Sequence, residues 1–183
     1  MFIKILKACV LPIYIAIRRL RSNLANPNEL FNGDDELFKD EVKKVDVYGE
    51  YGSGKSTKWV LNNTSTDVIV VDTSSEWVDT VKKDNSSNND RLNIHHSNLG
   101  EVGKWGRPLS YEKIESFSDY TDFVWKQKKT PKLVLVDGRF RVCCFLTSLK
   151  FAEEGTKIIF DDYTNRPQYL SLIHISEPTR PLT

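Results

Sequence analysis

A glycine-rich octapeptide is the first part of the sequence whose residue types and spacing could do chemistry. It reads Gly49-Glu50-Tyr51-Gly52-Ser53-Gly54-Lys55-Ser56 and fits the G-x-x-x-x-G-K-[ST] pattern of a phosphate-binding loop. In this interpretation the backbone N–H groups from Gly52 onward bind phosphate oxygens, Lys55 contacts the outer phosphates, and the Ser56 hydroxyl ligates Mg²⁺. The apolar run that ends at Asp137 would supply a second magnesium ligand. The octapeptide alone therefore predicts ATP or GTP binding.

The same glycines also fit a Rossmann-type turn that contacts a nucleoside. Residues 45–51 are typical of a strand that ends at the glycines, and Gly52 and Gly54 let the backbone approach a ligand without a Cβ clash. Asp72 follows Gly52 by twenty residues and ends the next apolar run. An acid at that point can accept hydrogen bonds from the two ribose hydroxyls of an adenosine group. A phosphate loop does not require such an acid, so Asp72 favours the nucleoside interpretation.

The elements that must position these residues alternate between strands and helices. Apolar runs at residues 45–51, 68–71, 92–96, 133–136 and 157–160 predict five strands, and the stretches between them favour helices. This order predicts an α/β fold, namely a Rossmann-like, doubly wound, mainly parallel sheet with right-handed crossovers. Polar residues lie at nearly every strand end, where ligands bind in open α/β sheets; they are Glu50, Asp72, Ser97, Asn98, Asp137, Asp161 and Asp162.

Composition and charge exclude several classes of protein. The 183 residues are 39% hydrophobic and 28% charged, with a net charge of +1, so the chain lacks the basic excess that is typical of nucleic-acid binders. The three cysteines form no disulfide framework, and adjacent Cys143 and Cys144 lack the spacing of zinc ligands. We therefore expect a cytoplasmic protein that does not bind nucleic acid.

Four segments in this order resemble one family. They are residues 48–57 (YGEYGSGKST), 70–78 (VVDTSSEWV), 135–141 (LVDGRFR) and 159–163 (IFDDY). Together they resemble bacterial class I S-adenosylmethionine-dependent methyltransferase-like proteins over about residues 30–169. The resemblance implies methyl transfer from S-adenosylmethionine to an oxygen or nitrogen of a small molecule or saccharide. Lys55 departs from the small residue usual in that family's turn, so ATP or GTP binding and a catalytically inactive cofactor-fold module stay open as alternatives.

The resemblance also implies roles for the residues at the strand ends. Glu50, Gly52, Ser53 and Gly54 would hold the methionine and ribose parts of the cofactor, Asp72 would bind the ribose hydroxyls, and Asn98 would contact the adenine.

The acids after the fourth and fifth strands would act on the methyl acceptor. By similarity to catechol O-methyltransferase-like enzymes, Asp137, Asp161 and Asp162 would bind Mg²⁺, which prefers oxygen ligands. Alternatively, Asp137 or Asp161 would be the general base that removes the acceptor's proton. Nearby Arg139, Arg141 and Arg166 would bind an anionic acceptor, unless they are ordinary surface arginines.

Both ends of the chain are predicted to lie outside this domain. Residues 1–29 are basic with an apolar run of about ten residues, too short to span a membrane, and fit either a peripheral helix at the inner membrane surface or a helix packed on the domain. Residues 170–180 look like the translation of a transposon-end adapter, so we expect residues 170–183 to be a read-through tail and the sheet to be incomplete. The fifth strand would then be an exposed apolar edge that promotes aggregation.

Overall fold

The computed structural model describes residues 29–31, 35–88, 90–163 and 169. The chain divides into two compact units, Met1–Lys39 and Asp40–Thr183. In the first unit, the Asp35 carboxylate accepts the backbone N–H groups of Leu30 and Phe31 at 2.9 and 3.1 Å. The predictions for residues 1–28 and 170–183 fall outside the described residues. Within the described ranges, no helix has both the length and the apolar character needed to cross a membrane.

In the second unit, five strands of the described chain form one parallel sheet in the order β3-β2-β1-β4-β5. They are β1 Val47–Tyr51, β2 Asp67–Asp72, β3 Leu92–His96, β4 Leu133–Val136 and β5 Lys157–Phe160. The order reverses between β1 and β4, so their carboxyl ends flank the crevice in which such sheets bind ligands. The predicted α/β fold with a Rossmann-like, doubly wound parallel sheet is therefore confirmed.

Helices connect the strands on both faces of the sheet. They are α2 Lys55–Asn63, α3 Ser75–Asp84, α4 Phe117–Asp122 and α5 Arg141–Phe151, whereas α1 Glu36–Val42 precedes β1 in the sequence. Helix α3 begins where the Ser74 hydroxyl accepts the Trp77 N–H at 3.4 Å, as serine commonly does at a helix N-cap. The connection from β3 to β4 is less regular, because short 3₁₀ turns flank α4 on both sides.

The two faces of β1 have different surroundings, because successive side chains of a strand point to opposite faces. Tyr51 belongs to the apolar core together with Tyr120, Val124 and Cys144. Its hydroxyl donates to the Thr121 carbonyl at 2.6 Å and thereby ties the β3–β4 connection to the sheet. Two residues of β1, Tyr48 and Glu50, point to the other face and are fully buried there.

Candidate functional site

The glycine turn occupies only three residues between β1 and α2. Strand β1 continues through Tyr51 and α2 starts at Lys55, so residues 52–54 make the whole reversal. Gly52 has a φ of +93°, and a Cβ on it would lie 2.7 Å from the Gly138 Cα. Glycine is thus required at position 52 both by the left-handed backbone and by the loop that follows β4. The two loops touch where the strand order reverses.

Asp72 contacts this turn from the end of β2. Its Oδ2 accepts the Ser53 N–H at 2.6 Å and the Ser53 hydroxyl at 2.9 Å, and its Oδ1 accepts the Ser74 N–H at 2.9 Å. The structure therefore brings Asp72 and Ser53 together beside the glycines. Since an ionised carboxylate offers about four lone-pair positions, Asp72 keeps capacity for a further donor after these three bonds.

Glu50 lies beneath the first turn of α2 and is fully buried. Its Oε1 accepts the Ser56 hydroxyl, and its Oε2 accepts the Thr57 hydroxyl at 2.7 Å. Burial raises the pKa of Glu50 to about 7, although these hydroxyl hydrogen bonds act in the opposite direction. The Glu50 side chain is therefore fully buried and hydrogen-bonded to α2, and its contact with a cofactor stays a prediction.

The backbone N–H groups of residues 52–54, which the phosphate-loop interpretation assigns to phosphate, have acceptors within the protein. A phosphate loop binds its anion with successive backbone N–H groups, but each N–H of this turn already has an acceptor. Gly52 donates to the Val71 carbonyl at 2.9 Å, Ser53 to Asp72, and Gly54 to the Thr57 hydroxyl at 3.0 Å. The Ser56 hydroxyl is also used, because it donates to Glu50. The Asp72 carboxylate thus accepts an N–H group that the phosphate-loop interpretation assigns to phosphate. The Glu50 carboxylate accepts the Ser56 hydroxyl that the same interpretation assigns to Mg²⁺.

The acids after β4 and β5 converge on Arg141, the first residue of α5. Its Nη2 donates to Asp137 Oδ1 at 2.7 Å, and its Nη1 lies 3.3 Å from Asp162 Oδ2 and 3.8 Å from Asp161 Oδ2. Only 6% of the Arg141 side chain is exposed. Burial and the neighbouring Asp161 charge raise the pKa of Asp137 well above its ordinary value, although Arg141 opposes this shift. The prediction that Arg141 binds an anionic acceptor is wrong, since its guanidinium points into the protein.

The three aspartates do not fit the predicted magnesium site. Among the described residues, no group of three His, Cys, Asp or Glu side chains converges as metal ligands do. The Arg141 guanidinium lies between Asp137, Asp161 and Asp162. A metal at that point would meet the repulsion of a positive charge.

Comparison with known proteins places the chain in a family. A crystal structure of a methyltransferase-like protein from Silicibacter pomeroyi DSS-3 is 31% identical, with a TM-score of 0.65 over 82% of this chain and 78% of that chain. This chain belongs to the methyltransferase-like proteins. No protein-family model matches its sequence, and no curated protein does. The match confirms the methyltransferase-like fold that the four sequence segments imply.

In this methyltransferase-like protein the Asn98 side chain is exposed, and its amide oxygen has a partner within the loop. That oxygen accepts the Gly100 N–H at 3.1 Å and shapes the loop after β3. Buried Ser97 instead donates to Asp119 Oδ2 at 2.8 Å, and His95 Nε2 lies 2.8 Å from the same oxygen. Sequence analysis missed Asp119, because it comes from α4 and no local pattern pairs that helix with the end of β3.

A second loop of the methyltransferase-like protein closes on the β2 end. The Thr73 hydroxyl, directly after Asp72, donates to the Gly106 carbonyl at 2.8 Å. The adjacent Trp105 has a φ of +63° and is 72% exposed. A left-handed backbone is strained for so bulky a residue. The hydrogen bond from Thr73 thereby holds an exposed aromatic ring near the rim of the candidate site.

Proposed function

We propose that this protein transfers a methyl group from S-adenosylmethionine to an oxygen or nitrogen of a small molecule or saccharide. The observation that supports this best is the Asp72 carboxylate, hydrogen-bonded at 2.6 Å to the backbone of the glycine turn. That position combines an acceptor for ribose hydroxyls with glycines that permit close approach. Membership of the methyltransferase-like proteins gives the reaction class.

The residues at the turn fit an adenosine-containing group. A Cβ on Gly54 would meet no atom within 4 Å, so the space in front of this glycine is open. Asp72 has a remaining lone-pair position, and its bond from the Ser53 hydroxyl can be exchanged for one from a ribose hydroxyl. We therefore assign Gly52, Ser53, Gly54 and Asp72 to cofactor binding, with Glu50 supporting the turn from below.

Asp137 is the candidate base for the acceptor. It follows β4, and its backbone N–H donates to the Tyr51 carbonyl at 3.1 Å, next to the glycine turn. A raised pKa suits a group that takes up a proton near neutral pH. When bound, S-adenosylmethionine supplies a methyl group on a positively charged sulfur that leaves as a neutral thioether. Asp137 would take the acceptor's proton, and the Asp161 charge beside it raises its basicity.

The experiment is calorimetric titration with S-adenosylhomocysteine, using wild type, Asp72→Asn and the control Asp67→Asn. Asp67 starts the same strand at its opposite end, so its loss tests for a general effect on β2. We expect wild type and Asp67→Asn to bind, and Asp72→Asn to bind about tenfold more weakly or worse, since a hydrogen bond to a charged group contributes roughly 1.5–3 kcal/mol.

Two results would count against methyl transfer. One is no binding of S-adenosylhomocysteine to a wild-type chain that melts cooperatively. The other is binding of Mg·ATP that Lys55→Ala abolishes, which would restore the phosphate-loop interpretation. Binding of neither ligand would support an inactive cofactor-fold module.

A further inference from the structure

The Arg141 side chain joins the loops that follow β4 and β5. Its Nε donates to the Gly138 carbonyl at 3.3 Å, and its Nη2 donates to the Asp137 carbonyl at 2.9 Å. On the other side, Nη1 donates to the Asp161 carbonyl at 2.6 Å. One guanidinium thus binds backbone oxygens of both strand ends and also the Asp137 carboxylate.

These oxygens are the ones that a divalent metal would need. Mg²⁺ requires near-octahedral oxygen ligands, and the strand ends offer three carbonyl oxygens and the carboxylates of the three aspartates. Arg141 already binds all three carbonyl oxygens and one carboxylate oxygen. With only 6% of its side chain exposed, it cannot move into solvent without breaking these bonds. The planar, permanently charged fork of arginine suits such a bridge.

We infer that Arg141 is the resident cation of this site: it holds Asp137 in place and takes the position of a divalent metal, so methyl transfer here needs none. Arg141 is a positioning residue, because it acts through Asp137 rather than on a substrate. The statement about the reaction rests on the proposed function. The statement about the cation does not, and it is tested without any cofactor.

A second bridging arginine provides the matched control. Arg91 donates to the Thr66 and Leu61 carbonyls, both at 2.8 Å, and to the Asn88 side chain at 3.0 Å. It therefore binds backbone as Arg141 does, but within the described part of the chain it pairs with no carboxylate. Loss of Arg91 should destabilise the fold without exposing unneutralised acids.

The experiment measures the melting temperature of the full chain with MgCl₂ and with NaCl at equal ionic strength. The variants are wild type, Arg141→Met, Arg141→Lys, Arg91→Met, and Arg141→Met combined with Asp161→Asn and Asp162→Asn. Methionine keeps the apolar length of the side chain and removes its charge. We expect MgCl₂ to raise the melting temperature of Arg141→Met alone, because only there do the carboxylates lack a cation. Lysine keeps the charge, so Arg141→Lys should melt lower than wild type but show no magnesium response.

Other results would overturn the inference. A magnesium-specific stabilisation of wild type that Asp161→Asn or Asp162→Asn removes would show that the site binds metal despite Arg141. An Arg141→Met response no larger than that of Arg91→Met would show that Arg141 is only a structural bridge. If Arg141→Met does not fold, the wild type and Arg141→Lys decide: a magnesium response in either contradicts the resident cation, and its absence in both supports it. If Arg141→Met alone responds to magnesium but the wild type does not bind S-adenosylhomocysteine, the methyl-transfer proposal fails and the inference about Arg141 stands.

Discussion

Glu50 and Asp72 are two acids close to the glycine turn, and their environments favour different roles. Glu50 is fully buried and satisfied by the hydroxyls of Ser56 and Thr57. Asp72 is 9% exposed and accepts backbone donors from the loops on either side of it. Burial penalises the charged form of a carboxyl group, whereas donors stabilise it. Glu50 therefore supports the turn, and Asp72 is the candidate acceptor for a ribose hydroxyl.

The raised pKa of Glu50 predicts a pH-dependent stability. Its pKa is about 7 in the fold against an ordinary 4.5, so the native state holds a proton that the unfolded chain releases. The contribution of this proton is fully present below about pH 4.5 and is lost as the pH rises through about 7, on the order of 3 kcal/mol in all. We expect Glu50→Gln to lose less melting temperature than wild type between about pH 5 and about pH 8.

Two variants separate this effect from others. Asp137 also has a raised pKa and changes stability with pH in the same direction. Asp137→Asn therefore measures how much of the slope of melting temperature against pH comes from Asp137. Glu112→Gln, at an exposed position, serves as the neutral control. If Glu50→Gln kept the full wild-type slope, the buried carboxyl group would not be the source of the pH dependence.

The element that organises the site is the contact between the β1–α2 turn and the β4–α5 loop. Gly138 is as restricted as Gly52, because a Cβ on it would lie 2.8 Å from the Gly52 nitrogen and 2.1 Å from the Tyr120 hydroxyl. That hydroxyl in turn accepts the Arg139 N–H at 3.0 Å. Helix α4, which contains Tyr120, thus fixes the loop between Asp137 and Arg141.

Three glycine variants test this contact. Gly155→Ala places a side chain at a φ of +84° with no atom within 4 Å of it, so it should cost about 1–2 kcal/mol for the left-handed backbone alone. Gly52→Ala combines a φ of +93° with the overlap on Gly138 and should cost roughly 1–3 kcal/mol more. Gly54→Ala, in extended backbone and open space, should leave stability nearly unchanged.

Urea denaturation monitored by circular dichroism gives these free energies of unfolding. Equal losses for Gly52→Ala and Gly155→Ala would mean that the β4–α5 loop moves aside at little cost. In that case the two loops would not form the rigid contact on which the site geometry depends.

At the scale of the whole molecule, β5 forms one edge of the described sheet. Among the described strands β5 pairs with β4 alone. On the adjacent α5, three apolar side chains at helical spacing are each more than a third exposed: Val142, Leu146 and Leu149. The Phe160 ring contacts the Tyr169 ring at 5.0 Å, which covers part of β5. An apolar helix stripe beside an edge strand favours association between molecules.

We therefore expect this chain to self-associate, and Leu146→Glu with Leu149→Glu to reduce the association. Sedimentation velocity over a concentration series measures it. Leu109→Glu is the control, because Leu109 is 60% exposed on a loop outside α5 and its substitution should leave association unchanged. A wild-type chain that stays monomeric at every concentration would contradict this expectation.

Much of the fold follows from local pattern. Short apolar runs bounded by turn residues favour strands, and their alternation with helices leaves few topologies. The pairing of Asp72 with the glycine turn is of this kind as well. Both lie at strand ends of one βαβ unit, and parallel register brings those ends to the same edge.

The chemistry of the individual acids depended on contacts between distant parts of the chain. Glu50 and Asp72 look alike in the sequence, yet burial under α2 makes one a support, because the two faces of a strand are distinguished only by what packs on them. In the sequence, Asp137, Asp161 and Asp162 predict a metal site. In the fold, the Arg141 guanidinium lies among the three carboxylates. Asp119 reaches Ser97 from another helix. Charge and solvation act through space. The spacing of residues along the sequence therefore identified these acids as candidates, but it could not predict which side chains would pack against each of them.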